Sequence, residues 1–443
     1  MYLLFILLYS GKIYKFENFK EDTVLFNSIL LIIYTAIFVL YNYTNLNKYV
    51  YWLLIVFVVS TELVITCSNS IMLSENGITL KEDINLYKPI INTILPNENE
   101  FYRIEKISPT SYNDGGLIDY YGISIFSSMA YEDVSRLQRK LGIAGNDINS
   151  YYYNLQTPVY NSIFNIKYLV GDNLDSSHHK NIADKIYEYN FPLSIAFAVN
   201  QNIKNWDINS FNPMYIQNNF ISNAVGINDI FEIIEPVFID CDITIYDDEY
   251  VANNSKINIQ LTAKKDGYIY FYLNSYDSVA LSINGEEIYS SNEPYIVNAG
   301  FYEKEEQVNI EAIFSNDIEN FFRVYASTLN MNNFINAYNI LNEEKLNIES
   351  FKENHIKGTI NVDKEKSVFT SIPYDEGWHV YVDGTETGFY KIGNSLIGFD
   401  IATGFHEVEF KYSPKGLYLG ITISLISLVT FFILNKKEVL YFN

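Results

Sequence analysis

Residues 416–434, with the sequence GLYLGITISLISLVTFFIL, contain no charged side chain, and Lys436 and Lys437 follow almost directly. A helix of about 20 apolar residues is long enough to cross a bilayer. A surface helix of a soluble protein would carry a polar face over such a length. The stretch therefore predicts a transmembrane helix near the C-terminus of the sequence, with basic residues at its far end.

Further apolar stretches lie near the N-terminus. Residues 24–41 contain no charge, residues 49–67 contain a single one, Glu62, and Met1–Tyr9 is apolar throughout. A signal peptide would have basic residues before that first run and a small-residue cleavage site after it, and both features are missing here. We predict a transmembrane region over 1–67, with spans at about 24–41 and 49–67. Residues 1–9 are interpreted as the last turns of an earlier helix, so we expect the C-terminal part of a longer polytopic protein.

The basic residues beside the spans predict the orientation, because Lys and Arg favour the cytoplasmic side. Lys436 and Lys437 place the tail 435–443 in the cytoplasm, so residues 68–415 are expected to be extracytoplasmic. The loop 10–23 would then lie outside although it carries three lysines, which strains the rule.

The large segment between the spans shows two kinds of pattern. Residues 68–235 alternate helical and strand signals, such as the capping pair Thr157-Pro158 before the strand-like run Ile166–Val170, and this order predicts an α/β domain. From Pro236 onward, short alternating runs predict strands.

Two tight turns organise the strand-rich part. Asn284-Gly285 and Asp383-Gly384 each separate two strand-like runs, and such pairs are typical of type I′ hairpins. We predict a β-sandwich module plus a helix over 236–345, and a second β-rich module over 346–415. The predicted fold class is a membrane-anchored α+β protein, with transmembrane helices flanking a large extracytoplasmic α/β layer followed by β-sandwich modules.

Composition excludes several classes of function. Of 443 residues, 48% are hydrophobic, which excludes a disordered chain, and the net charge of −23 argues against nucleic acid as a partner. Cys67 and Cys241 are the only cysteines, too few for a disulfide framework. The sequence contains no P-loop, GxGxxG, GxSxG or HExxH motif, and the adjacent His178 and His179 lack metal-site spacing.

A series of short strings covers most of the chain, from about Glu62 to Lys437. The strings are Phe101-Tyr102-Arg103-Ile104-Glu105, Asn113–Gly116 with Tyr121-Gly122-Ile123-Ser124, Phe126-Ser127-Ser128, Thr157-Pro158, Lys167-Tyr168-Leu169, Gln217-Asn218, Ile372-Pro373-Tyr374, Gly377-Trp378, Val382-Asp383-Gly384 and Gly404-Phe405-His406 with Tyr412. Taken together and in order, these strings resemble the YfhO family of bacterial polytopic membrane proteins.

The resemblance implies a GT-C-like glycosyltransferase of the bacterial cytoplasmic membrane. Such a protein would glycosylate teichoic acid or another cell-wall polymer at the outer face, with a polyprenyl-phosphate-linked sugar as donor. The family's many N-terminal helices, which would hold the catalytic acids, are missing from this sequence, so no catalytic residue is assigned in it. The alternative is a non-catalytic, membrane-anchored wall-glycan-binding or scaffold module that assists a separate transferase or flippase. The expected partners are the lipid bilayer, the polyprenyl-phosphate-linked sugar, the wall polymer, and upstream membrane helices or a partner transferase.

Three places carry candidate site residues. Glu62 is an intramembrane carboxylate, which is costly and by default functional, although a carboxylate so near the interface also reaches headgroup water. The loop with Asn113, Asp114 and Tyr121 has the chemistry of sugar contacts, or is a glycine turn before a strand. Trp378 and Tyr381 are candidates for stacking on a sugar, although a tryptophan that opens a strand more often anchors a core.

The cofactor and any metal ion stay open at this point. Asp240, Asp242, Asp247, Asp248 and Glu249 form an acidic run without the spacing of an EF-hand. The run is either a solvated face or a site for a divalent cation, which would bridge the acidic domain to a phosphate-rich polymer.

Overall fold

The computed structural model describes residues 21–44, 46–72, 76–172, 174, 178–246, 249–291, 293–317 and 319–441. The predicted helix stub 1–9 and the loop lysines up to Lys20 lie outside these residues. The chain divides into two compact units, Met1–Asp83 and Ile84–Asn443.

The first unit contains two long apolar helices, α1 (Glu21–Tyr43) and α2 (Lys48–Met72), and α3 (Asn76–Ile91) begins in it. The Tyr41 and Tyr51 rings lie 4.2 Å apart between α1 and α2. Residues 48–65 of α2 are long and apolar enough to cross a membrane, whereas the described apolar part of α1, Ser28–Tyr43, is shorter. Both predicted spans are therefore helical, and one of the two reaches the length that a bilayer needs.

The second unit begins with a layer of short helices and strands. Its helices are α4 (Asp114–Ile118), α5 (Glu132–Lys140), α6 (Pro158–Ile163) and α7 (Pro213–Val225), with a 3-10 turn at Gln201–Asn205. Its strands are β1 (Arg103–Lys106), β2 (Ile125–Phe126), β3 (Ala144–Gly145), β4 (Ser150–Tyr152), β5 (Ile166–Val170), β6 (His179–Ala183), β7 (Ile186–Tyr189), β8 (Ala196–Val199) and β9 (Phe231–Ile234). The sheet β1-β5-β7-β6 is mixed, with β1 parallel to β5. The Thr157 hydroxyl caps α6 by accepting from the Tyr160 N–H at 3.1 Å, as its sequence predicts.

The first β-sandwich follows directly along the chain. Its strands are β10 (Val237–Ile239), β11 (Ile243–Tyr246), β12 (Glu249–Ala252), β13 (Lys256–Thr262), β14 (Gly267–Ser275), β15 (Val279–Ile283), β16 (Glu286–Ser291), β17 (Val297–Tyr302), β18 (Gln307–Phe314) and β19 (Asn320–Leu329). The sheet β10-β13-β18-β15-β16 packs on the sheet β11-β12-β19-β14-β17, and β9 pairs with β19. In β13, the alternate residues Ile257, Ile259 and Leu261 are buried, in line with the alternating runs that predict strands after Pro236. Each such side chain contributes about 1.5–3 kcal/mol by leaving water.

A second β-sandwich ends the unit, after α8 (Met331–Glu343). Its strands are β20 (Asn347–Lys352), β21 (His355–Val362), β22 (Lys366–Pro373), β23 (Trp378–Val382), β24 (Thr385–Thr387), β25 (Tyr390–Ile392), β26 (Leu396–Ile401) and β27 (Gly404–Tyr412). The sheet β20-β21-β27-β23-β24 packs on the sheet β25-β26-β22-β8, so one strand comes from the preceding layer. The last helix, α9 (Leu417–Tyr441), contains the apolar residues 417–434, which are long enough to cross a membrane.

Both predicted hairpin turns have the expected backbone. Asn284 and Gly285 have φ of +51° and +88°, and Asp383 and Gly384 have +51° and +77°. Positive φ at both central residues defines a type I′ turn. The structure is thus α+β with β-sandwich packing, while the segment boundaries predicted at 67/68, 235/236 and 345/346 stay predictions.

Candidate functional site

A cleft of about 700 Å³ opens where the second sandwich meets the start of α9. Its floor is the outer face of the sheet β20-β21-β27-β23-β24, and its wall is the link between β27 and α9. The lining residues are Asn354, His355, Glu376, His379, Tyr381, Lys411, Tyr412, Ser413, Pro414, Lys415, Gly416 and Tyr418.

The alternation of β23 decides which side chains reach this cleft. Val380 is buried, and Trp378 and Val382 pack on the core of the second sandwich, on the same face of the strand. His379 and Tyr381 point to the opposite face, because successive side chains of a strand alternate. On the neighbouring β27, Lys411 is the register partner of His379.

Two carboxylates hold the basic side chains of this sheet face in place. Glu409 lies 2.8 Å from the Lys411 ammonium and 2.6 Å from the His355 ring, and Glu386 lies 2.6 Å from His379. The hydrogen bond from Lys411 lowers the pKa of Glu409 below its usual value, with a smaller contribution from His355. The basic groups are thus oriented but remain at the surface, where a charged ligand can reach them.

The link between β27 and α9 is tied to the turn before β23. The Ser413 N–H donates to the Gly377 carbonyl at 2.8 Å, and Lys415 forms an ion pair with Glu376. A hydrogen bond from Lys415 to Glu376 raises the pKa of that ammonium. These contacts fix the wall of the cleft relative to its floor.

Aromatic rings complete the cleft. The Lys411 ammonium lies 4.9 Å from the centre of the Tyr381 ring, and Tyr418, in the first turn of α9, is 74% exposed. Ammonium groups, imidazoles and aromatic faces together can bind a phosphate beside a sugar ring.

The predicted pair Trp378 and Tyr381 is separated by the strand between them. Trp378 packs against the Tyr412 ring, with ring centres 5.0 Å apart, on the core side of the sheet. Tyr381 lines the cleft. A single sugar ring therefore cannot contact both residues on one face.

The predicted sugar loop around α4 makes extensive contacts within the chain. The Asn113 amide donates to the Phe126 carbonyl at 3.0 Å and accepts from the Phe126 N–H at 2.9 Å. Asp114 is buried, lies 3.1 Å from the Lys106 ammonium, and accepts from the Thr110 N–H at 2.9 Å. Both side chains therefore stabilise the loop itself.

Tyr121 lies in an aromatic cluster with two phenylalanines. Its ring centre is 5.4 Å from those of Phe101 and Phe351, and the Phe101 and Phe351 rings stack at 4.3 Å. Burial raises the pKa of the Tyr121 hydroxyl. Neither Tyr121 nor the α4 loop is among the residues that line the cleft.

Glu62 in α2 has a partner on the neighbouring helix. The Tyr34 hydroxyl of α1 donates to its Oε2 at 2.7 Å. The intramembrane candidate thus joins two helices of the first unit, and a hydrogen bond between helices partly offsets the cost of a carboxylate in an apolar layer.

Other polar clusters give no metal centre in the part of the chain that the structure describes. There, no group of three or more His, Cys, Asp and Glu side chains is arranged to hold a metal ion. In the acidic run, Glu249 lies 2.7 Å from the Arg323 guanidinium, and Asp247 and Asp248 lie outside the described residues. His178 and His179 pack on different rings, those of Tyr268 and Tyr189.

The sequence did not reveal most of the cleft. His355, Lys411 and Lys415 belong to β21, β27 and the following link, which meet through pairing between strands about 50 residues apart. The available signal was local: His379 and Tyr381 alternate with three apolar residues in β23, which marks them as outward-facing polar positions.

The fold and the apolar helices define a class, an α+β protein with β-sandwiches and helices long enough for a bilayer. A family model described as "Bacterial membrane protein YfhO" matches residues 1–424. The chain therefore belongs to the YfhO family, which confirms the resemblance of the short sequence strings.

The individual similarities are partial. The "Uncharacterized protein YfhO" of Bacillus subtilis (strain 168) is 28% identical over 96 residues, which span 21% of this chain and 11% of that protein.

Solved structures resemble the fold only in part. A family 29 carbohydrate-binding module has 16% identity, a TM-score of 0.14, and covers 21% of this chain and 87% of its own. A Pleurotus ostreatus lectin in complex with GalNAc has 11% identity and a TM-score of 0.15, and covers 42% of this chain and 78% of its own. At these TM-scores the likenesses carry no argument about function.

Proposed function

We propose that this protein takes part in glycosylating teichoic acid or another cell-wall polymer at the outer face of the bacterial cytoplasmic membrane. In this proposal a polyprenyl-phosphate-linked sugar is the donor, residues 68–415 are extracytoplasmic, and the second unit holds the phosphate-bearing acceptor. The observation that carries the proposal is the cleft beside α9, which combines ammonium groups, imidazoles and aromatic rings.

The charge of the cleft differs from that of the whole chain. The chain carries a net charge of −23, which repels an anionic polymer at long range. Two ammonium groups, Lys411 and Lys415, and one carboxylate, Glu376, line the cleft. Charges more than about 8 Å apart are largely screened at physiological ionic strength, so a phosphate inside the cleft responds mainly to the nearby groups. These are the Lys411 and Lys415 ammonium groups, each with one carboxylate partner, Glu409 and Glu376, for which the phosphate would compete.

The position of the cleft suits a ligand at a membrane surface. The apolar residues of α9 begin at Leu417, directly after the wall of the cleft. Tyr418 is exposed in that first turn, and tyrosine is typical of the membrane–water interface. If α9 spans the bilayer, the cleft opens at the level of lipid headgroups, where a polyprenyl-phosphate sugar and the growing wall polymer meet.

The role proposed for this chain is to position the acceptor, and no catalytic residue is assigned to it. Glu376 is paired with Lys415, and Glu409 is held ionised by Lys411 and His355. A general base with a depressed pKa accepts a proton weakly near neutral pH. Glu409 is therefore better suited to orienting the basic groups than to catalysis.

The test replaces the two ammonium groups of the cleft in the complete protein. In a strain that lacks the native copy, a Lys411→Met, Lys415→Met variant is expected to lower the sugar content of purified wall polymer at least about tenfold. Lys357→Met is the matched control, because Lys357 lies 2.8 Å from Glu407 on the same sheet but outside the cleft. Unchanged wall sugar in the double variant, with normal protein in the membrane, would overturn the proposal.

A second candidate function is a non-catalytic wall-glycan-binding or scaffold module. It is favoured by the outer face of the first sandwich, where Asn258, Gln260, Ser282 and Asn309 line a cavity of about 480 Å³. Amide and hydroxyl groups match the hydroxyls of a neutral glycan. For this candidate, the purified protein would bind wall polymer, and the Lys411→Met, Lys415→Met variant would keep normal wall sugar.

A further inference from the structure

We propose that a pocket between the first turn of α5 and the second sandwich binds one neutral sugar unit. The pocket has a volume of about 280 Å³ and includes Tyr131, Asp133, Tyr374, Lys391 and Ser395 in its lining. The inference deepens the proposed function and rests on it for the source of the sugar, a unit of the acceptor glycan.

Two parts of the second unit that are distant in sequence build this pocket. Tyr131 is the N-cap of α5, and Asp133 lies in its first turn. Tyr374 follows β22, Lys391 lies in β25, and Ser395 precedes β26. The Tyr374 N–H donates to the Ser395 carbonyl at 2.8 Å, which joins the two loops of the sandwich at the pocket.

An ion pair at the rim offers both a donor and an acceptor. The Lys391 ammonium lies 2.7 Å from the Asp133 carboxylate, and the two side chains are 42% and 47% exposed. Exposed ion pairs are weak, so a ligand can insert between the two groups at little cost. A sugar hydroxyl donates to a carboxylate and accepts from an ammonium, so neighbouring hydroxyls can engage both.

A buried hydroxyl supports a polar ligand independently of the ion pair. Ser395 is 1% exposed, and within the described part of the chain its Oγ has no hydrogen-bond partner. A buried hydroxyl without a partner is unfavourable. A ligand hydroxyl that contacts Ser395 would remove that penalty.

Tyrosine rings supply a face for the apolar side of a sugar. The Tyr131 hydroxyl donates to Asp375 Oδ2 at 2.8 Å, which fixes its ring, and the Lys391 ammonium lies 5.2 Å from the centre of the Tyr374 ring. Asp375 Oδ1 also accepts from the Gly377 N–H at 2.7 Å, and the Gly377 carbonyl accepts from the Ser413 N–H. Because Ser413 lines the cleft, a glycan held in the cleft by its phosphate can extend towards the pocket.

Charge and size select a neutral monosaccharide unit. The lining carries two carboxylates, Glu132 and Asp133, and one ammonium, Lys391, so an anion such as phosphate is disfavoured. The volume lies just below the range of about 300–1,000 Å³ for sites of drug-sized ligands, which suits a single ring.

The test measures binding of methyl glycosides of glucose, galactose and N-acetylglucosamine to the purified full chain in nanodiscs by saturation-transfer NMR. At least one glycoside is expected to bind with a Kd of about 1 mM. Lys391→Met, Asp133→Asn and Ser395→Ala are each expected to weaken that binding about tenfold. Lys357→Met is the matched control, because Lys357 forms a similarly exposed pair with Glu407 at 2.8 Å on the second sandwich, outside the pocket.

The outcomes separate this inference from the proposed function. The Lys411→Met, Lys415→Met variant is expected to bind the glycoside like the wild type, whatever its effect on wall sugar. Absence of glycoside binding by the wild type at about 10 mM would overturn the inference. Binding that all three pocket variants retain would also overturn it, because the glycoside would then occupy another site. Thermal unfolding of each variant confirms that the compared proteins are folded.

Discussion

Glu105 is a buried carboxylate whose proton is expected to affect the stability of the fold. It accepts hydrogen bonds from the Ile123 N–H and, at 3.1 Å, from the Ser124 N–H. Burial raises its pKa from 4.5 to about 7, although these hydrogen bonds act in the opposite direction. Between these pH values the unfolded chain loses the proton and the folded chain keeps it, so stability falls as pH rises through this window. The full shift corresponds to about 3 kcal/mol.

A Glu105→Gln variant tests this expectation. The amide does not titrate, so only the wild type loses this contribution as pH rises. The melting temperature of the wild type should therefore fall relative to that of the variant between about pH 5 and about pH 8. The comparison is needed because burial lowers the pKa of His178 and His179 to about 4 and about 3. Below about pH 6.5 the unfolded chain protonates these histidines while the folded chain keeps them neutral. They therefore lower the stability as pH falls, whereas Glu105 lowers it as pH rises. Melting curves of the two proteins that move in parallel would contradict the role of Glu105.

Asp114 gives a second prediction at the scale of one residue. Its carboxylate and the Lys106 ammonium are each 1% exposed and lie 3.1 Å apart. Removing one partner of a buried ion pair costs about 3–5 kcal/mol, so Asp114→Ala is expected to lower the melting temperature strongly. Asp172→Ala is the control and should change the melting temperature little, because the Asp172 side chain, paired with Lys185, is 62% exposed. A stable Asp114→Ala variant with impaired glycan binding would instead support the predicted sugar contact.

At the scale of elements, the turn between β22 and β23 depends on Gly377. A Cβ at this position would lie 2.7 Å from the Ser413 carbonyl oxygen and 2.9 Å from the Tyr412 ring. Gly377→Ala is therefore expected to push the link before α9 away from the sheet and to cost about 1–3 kcal/mol. Gly388→Ala is the matched control, because nothing lies within 4 Å of a Cβ there. The check is the thermal unfolding of both variants, and equal stability would contradict the tight packing of this turn.

Elements with local determinants could be predicted from the sequence, whereas their partners could not. The Asn284-Gly285 and Asp383-Gly384 turns and the Thr157 cap depend on neighbouring residues, and the structure has them as predicted. The pairing of β8 with β22 joins residues about 170 positions apart. No local pattern encodes such a pairing, since it depends on which apolar faces become buried together.

The difference between local and non-local determinants also explains which residues of the candidate site could be predicted. Of the two aromatic residues predicted to contact a sugar, Tyr381 lines the cleft and Trp378 belongs to the core. Side chains alternate between the two faces of a strand, so residues three positions apart point to opposite faces. His355 and Lys411 meet across β21 and β27, so the cleft depends on non-local pairing. Asn113 and Asp114 carry the polar chemistry of a sugar site, yet their hydrogen bonds are made within the chain.

At the scale of the whole molecule, the orientation of the large segment 68–415 is the prediction that decides whether the cleft can meet wall polymer. The basic pair Lys436 and Lys437 favours a cytoplasmic C-terminus, so an exposed site on the sandwiches should face the outside. Tyr276, 78% exposed after β14, is a suitable site. With Cys67 and Cys241 replaced by alanine, a Tyr276→Cys variant is expected to react with a membrane-impermeant maleimide in intact cells.

A cysteine at the other end of α9 makes the experiment decisive. An Asn443→Cys variant in the same background should react only after the cells are permeabilised, because α9 is expected to carry the chain into the cytoplasm. The two cysteines then report opposite sides of one membrane. If Asn443→Cys is labelled in intact cells and Tyr276→Cys is protected, the topology is the reverse of the predicted one. The cleft would then face the cytoplasm, and the proposed role in decorating wall polymer at the outer face would fail with it.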